Sequence, residues 1–356
     1  MHFADGHIPR EYIGYVHFKL GFMFLAFIGL ALGLVVSISI GAAGVPFSDV
    51  VKTLLGISVS NRFDIIVWNI RMPQALTAVV AGAGLSVAGA TMQSILRNPL
   101  GSPFTLGISQ AAAFGAAFSV MILGSGVMQS TSLGSVSISN PYLTTISAYG
   151  FSMLAAGVII AISKVRGTTP EVMVLTGVAL GALFTAGTML LQYFADDVQL
   201  AAMVFWTFGD IARASWSDLG LLSAVTVVCS TYLLSKSWDY NAIDASDETA
   251  KGLGVRVERV RIIGMLAASL VTAVIVSFLG IIGFIGLVVP HMVRRIIGAD
   301  HRCLMPATVI CGSLLLLVSD TVARLILMPH VLPVSVLTAF MGAPAFIYLI
   351  IRGRRK

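Results

Sequence analysis

Apolar blocks of membrane length follow one another along this chain with little polar sequence between them. Ten are long enough, some marginally, to read as spanning helices: 20–41, 73–96, 105–123, 143–163, 172–194, 218–235, 262–279, 284–297, 304–322 and 333–351. A span needs about 20 mostly apolar residues, because a bilayer offers no water to the backbone and a helix satisfies every N–H and C=O internally. The eighth block is short, and Gly280, Gly283 and Gly286 predict a tight turn between it and the seventh. The first, Phe22 to Ile40, exceeds the apolar core of a signal peptide and reads as a retained helix. Runs such as Ala81-Gly82-Ala83-Gly84 and Gly181-Ala182 let helix backbones approach closely.

Composition agrees. Hydrophobic residues make up 57% of the 356 and charged residues 11%, against about 25% charged in an ordinary soluble domain. A water-soluble globule is excluded. The expected organisation is one all-α, polytopic, ten-helix transmembrane domain over 20–351, with a cytoplasmic N-terminal extension at 1–19 and a cytoplasmic basic tail at 352–356. The formal charge of +6 does not indicate a nucleic-acid partner, because the basic residues stand at segment ends without interleaved aromatics.

Charge placement orients the helices. An even number of spans puts both termini on one side, and Arg352, Arg354, Arg355 and Lys356 assign that side to the cytoplasm of a multi-pass protein of the cell membrane. On that choice 17 of the 22 Lys and Arg lie inside, and only Lys52, Arg62, Arg71, Arg213 and Arg324 lie outside. A helix miscounted mid-chain would scramble this asymmetry. The outer segments near 42–70 and 124–142 read as polar loops, and 236–261 is the one large inner loop, where a soluble partner could dock.

Chemistry is sparse. Cys229, Cys303 and Cys311 lack CxxC spacing and read as small core residues. His291 and His301 have no Glu or His at metal-ligand spacing and read as interfacial histidines bonded to backbone or loop, so neither a metal site nor a cofactor is indicated. Asp320 and Arg324, four apart, read as an ion pair at the outer membrane edge. Asp196, Asp197 and Asp210 read as a solvated outer loop beside the interfacial Trp206 and Trp216.

Two stretches, Asn98 to Ser163 and Ile262 to Val293, contain no Asp, Glu, Lys or Arg. A gradient-driven secondary transporter of a metal or metal complex is the alternative reading, but ion coupling normally retains ionisable groups in the membrane. No G-x-x-x-x-G-K-[ST] phosphate loop occurs, so the chain does not itself cradle ATP. It is expected to be a transport subunit and not an enzyme, with its energy supplied by another protein.

Specific strings carry more than composition. Arg71-Met72-Pro73-Gln74 followed by Gly82-Ala83, Gly89, Gln93 and Arg97-Asn98-Pro99-Leu100-Gly101-Ser102-Pro103 forms one block. Gly280-Ile281-Ile282-Gly283-Phe284-Ile285-Gly286-Leu287-Val288-Val289-Pro290-His291 with Arg294, Gly298 and Asp300-His301-Arg302 forms a second. Asp320, Arg324, Leu332-Pro333 and Gly342-Ala343-Pro344-Ala345-Phe346 form a third. Together they resemble the FecCD-type permeases of ATP-binding-cassette (ABC) importers for ferric siderophores, haem and cobalamin, from about Phe22 onward and in the right order.

The resemblance implies a type II importer architecture. It would be a homodimer with a path along its axis, two ATP-hydrolysing subunits on the cytoplasmic face and a substrate-binding protein outside. It assigns Arg71 and Arg324 to docking of the binding protein. Gln74 stands where the family pattern has a second docking arginine. The residues alone are equally those of snorkelling interface arginines. The resemblance makes Asn98 and Leu100 cytoplasmic gate residues, although Asn-Pro also stops a helix. A second gate loop would fall near Thr168 to Glu171, where Pro170-Glu171 departs from the family's small polar pair. The 236–261 loop, with Asp247, Ala250, Leu253 and Gly254, resembles the paired coupling helices seated in a groove of the ATPase. Met1 to His7 faintly resembles the start of cobalt and nickel uptake proteins.

Overall fold

Small residues decide which helix sits at the centre. The computed structural model describes residues 10–41, 45–57, 59–125, 140–327 and 330–353. Met1 to His7, Arg354, Arg355, Lys356 and most of the 124–142 segment lie outside the described residues. The α-helices in chain order are α1 (Arg10–Ser39), α2 (Phe47–Leu54), α3 (Asn61–Ile65), α4 (Met72–Ile95), α5 (Ile108–Met121), α6 (Pro141–Arg166), α7 (Pro170–Phe194), α8 (Asp197–Thr207), α9 (Trp216–Ser235), α10 (Ser237–Ala245), α11 (Asp247–Gly252), α12 (Val257–Leu279), α13 (Ile285–Ile297), α14 (His301–Leu325) and α15 (Val334–Gly353). A π-helical turn, Ile66–Arg71, joins α3 to α4. No strand occurs among the described residues.

Each of the ten apolar blocks is a helix, and among the described residues seven helical stretches are long and apolar enough to cross a membrane. The span at α4 is 78% buried within the subunit, whereas those at α1 and α7 are only 17% buried. The first is a core element; the other two present apolar faces to lipid or to another chain. Gly, Ala and Ser let α4 be surrounded. A Cβ at Gly82 would run into the Gly312 backbone of α14, and one at Gly89 into the Gly286 backbone of α13. Ser86 Oγ donates to the Thr308 carbonyl at 3.0 Å and Ser313 Oγ to the Val79 carbonyl at 2.8 Å, locking α4 to α14 across the same contact.

The eighth block differs from the tight-turn expectation. α13 has 13 residues, about 20 Å at 1.5 Å per residue, short of the roughly 30 Å hydrocarbon layer. An irregular segment, 280–284, precedes it, with Gly280 at φ +80° and Phe284 at φ +67°, both left-handed. Gly286 serves packing against α4, not turning.

The described parts of 42–70 and the segment around 196–213 are also more ordered than expected. Residues 42–70 include α2 and α3. Two of the three aspartates do more than face solvent: Asp196 caps α8 in a capping box with Gln199, and Asp210 caps the short 3-10 turn Ile211–Arg213, while Asp197 is exposed. Trp206 is buried. α1 begins at Arg10, so much of the expected extension is the same helix as the first span, and Tyr15 Oη donates to the Ile297 carbonyl at its base. Cys229 is buried and all three cysteines are free.

Candidate functional site

The residues singled out in the sequence fall at the two ends of the bundle. At one end, the start of α4, the end of α14 and the last turn of α1 converge. Arg71 is buried, and its Nη1 donates to the carbonyls of Ile38 and Ser39 at 2.8 and 2.9 Å. These are C-terminal carbonyls of α1 that the helix cannot satisfy itself. Gln74 Nε2 donates to Asp320 Oδ1 and Oδ2 at 3.1 and 3.3 Å. Arg324 Nε pairs with Asp320 Oδ2 at 3.1 Å and its Nη2 donates to Ser37 Oγ at 2.7 Å. The expected Asp320–Arg324 pair is therefore present, but within a network that clamps α1. Arg71 and Gln74 turn inward; the Arg324 side chain keeps 13% exposure.

At the opposite end, α4 stops in a Schellman arrangement. Arg97 takes a left-handed φ of +46°, its N–H donates to the Ser94 carbonyl, and the Asn98 N–H donates to the Gln93 carbonyl. Asn98 Oδ1 then accepts from the Leu100 N–H at 2.9 Å, an Asx turn, leaving Leu100 at the surface. Behind this turn a cavity of about 310 Å³ is lined by Leu85, Pro103, Phe104, Thr272, Phe284 and Leu287 among others, none of them ionisable. The charge-free stretches thus meet around one apolar space.

The 236–261 segment is built of α10 and α11. Asp247 faces inward, with Oδ1 and Oδ2 each 2.7 Å from Arg261, and Ala250 is fully buried. Leu253 is 71% exposed, and Gly254 follows at φ +84°. Of the four coupling residues, Leu253 and Gly254 stand at the surface. Arg261 went unnoticed as a site residue, being counted only among inner cations. It is one of three charged residues in the first turns of α12, with Glu258 and Arg259, and of the three it is the one followed directly by the long apolar run.

A second polar knot ties α10 to α4 and α14. Asp244 accepts from Ser94 Oγ at 2.7 Å and lies 2.8 Å from His301 Nε2. Burial alone would raise the Asp244 carboxyl, but hydrogen bonds from His301 and Ser94 and the nearby Arg294 hold it below the ordinary carboxylate range. An ionised Asp244 only accepts, which puts the imidazole proton on Nε2. Asn241 donates to Asp300 at 2.9 Å and accepts from the His301 N–H at 2.8 Å. Asp300 is held below its ordinary range chiefly by the Arg302 side chain. His301, fully buried, is bonded to a carboxylate as well as to loop groups, a stronger anchor than an interfacial histidine. Among the described residues no cluster of three or more His, Cys, Asp or Glu could hold a metal ion.

The profile of the FecCD transport family matches residues 29–352. The chain belongs to that family. A provisionally named ABC transporter permease of Methanocaldococcus jannaschii is 50% identical over 345 residues, 97% of this chain and 98% of its own length. The hemin transport permease HmuU of Yersinia pestis is 35% identical over 95% of this chain and 96% of its own length. A solved inward-facing structure of a provisionally named metal-chelate type ABC transporter is 30% identical, with a TM-score of 0.79 over 93% of this chain and 98% of the neighbour. Further relatives are named for import of Fe(3+)-citrate, vitamin B12 and molybdate. Like other FecCD permeases, this chain is a membrane subunit without its own ATPase; partner subunits hydrolyse ATP.

Proposed function

We propose that this FecCD permease carries a metal chelate of the ferric siderophore, haem or cobalamin class inward, as a homodimer driven by two ATPase subunits and supplied by a substrate-binding protein. The observation that carries this reading is the charge-free cavity behind the α4 turn, inside a chain whose two longest uncharged stretches converge there. An apolar path passes a large, largely neutral chelate without gripping it, and it offers nothing to a desolvated small oxyanion. The cargoes named for most of the relatives support the same class.

The end bearing Arg97, α10 and α11 faces the cytoplasm, which the distribution of 17 inner against 5 outer Lys and Arg supports. Both termini are then cytoplasmic. Leu253 and Gly254 meet the ATPase, while Asp247 and Ala250 fix the coupling helices from within. Asn98 and Leu100 form the cytoplasmic gate. At the outer rim Arg71, Gln74 and Arg324 act together: Arg71 secures α1, Gln74 and Asp320 hold Arg324, and a carboxylate of the binding protein meets Arg324. Exposed pairs of this kind set orientation and on-rate more than affinity.

The test is reconstitution in proteoliposomes with the ATPase and the binding protein, offering haemin, cobalamin, Fe(3+)-citrate and molybdate as separate probes. ATP-dependent accumulation of one of the chelates is expected. Accumulation that persists with a hydrolysis-dead ATPase, or of molybdate alone, would overturn the reading.

A further inference from the structure

We infer that Arg261 is a positioning residue that makes the coupling helices, the end of α4 and the α6–α7 turn move as one body. Three separate segments meet on its guanidinium, which a fourth, α12, carries. Nε donates to the Ile95 carbonyl at 2.9 Å, Nη1 to the Thr168 carbonyl at 3.1 Å and to Asp247 Oδ2 at 2.7 Å, and Nη2 to Asp247 Oδ1 at 2.7 Å. The side chain is 3% exposed. Ile95 is the last residue of α4, three before Asn98. Thr168 lies in the turn between α6 and α7, and Asp247 opens α11.

These partners are more than a folding pair would need. An ion pair between Arg261 and Asp247 satisfies the buried charge by itself, yet the same group also holds the end of α4 and the α6–α7 turn, which make no hydrogen bond to each other in the described network. A guanidinium is planar and stiff, so displacing Asp247, whose side chain keeps 32% exposure, while the two carbonyls stay still breaks short, charge-assisted bonds to a buried cation. Separating the pair would strand a buried charge, so the cheaper motion carries all four segments together. A second tie works in the same direction: Ser94, the neighbour of Ile95, donates to Asp244 of α10. The last turn of α4 is therefore tied to α10 directly and to α11 through Arg261. The inference rests on the reading of this chain as an ATP-driven permease whose inner segment meets the ATPase.

Lysine at this position keeps the charge but offers three donors from one point, and cannot serve a carboxylate and two divergent carbonyls in one plane. The test uses the permease–ATPase complex in nanodiscs, with the three native cysteines replaced and single cysteines placed at the exposed Leu100, in the turn after α4, and Glu171, in the first turn of α7. Labelling by a membrane-impermeant maleimide is compared without nucleotide and after trapping with ATP and vanadate. With Arg261 present, labelling at both positions changes on trapping. In Arg261→Lys, and in Asp247→Asn should the lysine variant fail to assemble, the change is lost at both positions in complexes that still elute intact. A nucleotide-dependent change that survives both substitutions overturns the inference alone. A complex with Arg261 intact that shows no change on trapping overturns the ATP-driven reading and this inference with it.

Discussion

Gly89 of α4 lies so close to Gly286 of α13 that a methyl group on either would enter the other's backbone or that of its helix. The contact holds the short α13 against the central helix, and Gln93, one turn further along, extends it by donating to the Leu287 carbonyl at 3.1 Å. Gly89→Ala is expected to destabilise the protein by about 1–3 kcal/mol, the usual cost of overpacking. Gly283→Ala, where an added Cβ meets nothing within 4 Å, is the matched control. Thermal unfolding in detergent reads the difference; equal midpoints for the two variants would remove the close contact as a determinant.

Asp320 is the acceptor shared by Gln74 and Arg324 where α4 begins and α14 ends. Asp320→Ala leaves a largely buried cation without its partner and should cost about 3–5 kcal/mol. Gln74→Ala leaves the ion pair intact and should cost about 1–3 kcal/mol, the penalty for one lost buried hydrogen bond. Because the network anchors the last turn of α1, Asp320→Ala should also speed proteolysis or amide exchange near Ser37 to Ser39. Local protection unchanged from wild type would separate α1 from the network.

The Asp244–His301 contact makes a pH prediction. The carboxyl is held below its ordinary range in the folded protein, so its contribution is present above the unfolded carboxylate pKa and is lost as pH falls through the lower folded value. The stability advantage of wild type over Asp244→Asn should thus shrink as the pH falls below about 4, the ordinary carboxylate range. Melting curves of both proteins across that range check the sign. An advantage that grows as the pH falls below about 4 would mean that the carboxylate is not the form being stabilised.

Leu253→Glu should leave the permease folded, since the side chain is 71% exposed, while abolishing stimulation of the partner ATPase. Co-purification and stimulated ATP hydrolysis report the effect. Gly254 offers a less clean test: at φ +84° any side chain adds backbone strain of about 1–2 kcal/mol beyond its effect on the interface. Normal stimulation in Leu253→Glu would take this corner of the inner segment out of the coupling surface.

Ten helices, their order and the asymmetry of charge between the two ends were legible in the chain, because each depends on a local property: an apolar run long enough to span, or a cation at its end. The Asp320–Arg324 pair was legible for the same reason, being one helical turn apart. Helix α13 was readable as short but not as a half span led in by the left-handed Phe284. Caps such as Asp196 with Gln199 were readable in principle, since their spacing is local.

What the tertiary structure alone decided lies between distant residues. Gln74 and Asp320 are separated by 246 positions, and Arg261 and Ile95 by 166. No periodicity along a chain specifies which polar group on one helix will face which on another; that follows from how Gly and Ala let the helices close around α4. Packing turned Arg71 and Asp247 inward, kept Leu253 exposed, and gathered three segments on Arg261. In a bundle so poor in charge, each buried ion must find a partner within the protein, and those partners are chosen by the packing of the helices.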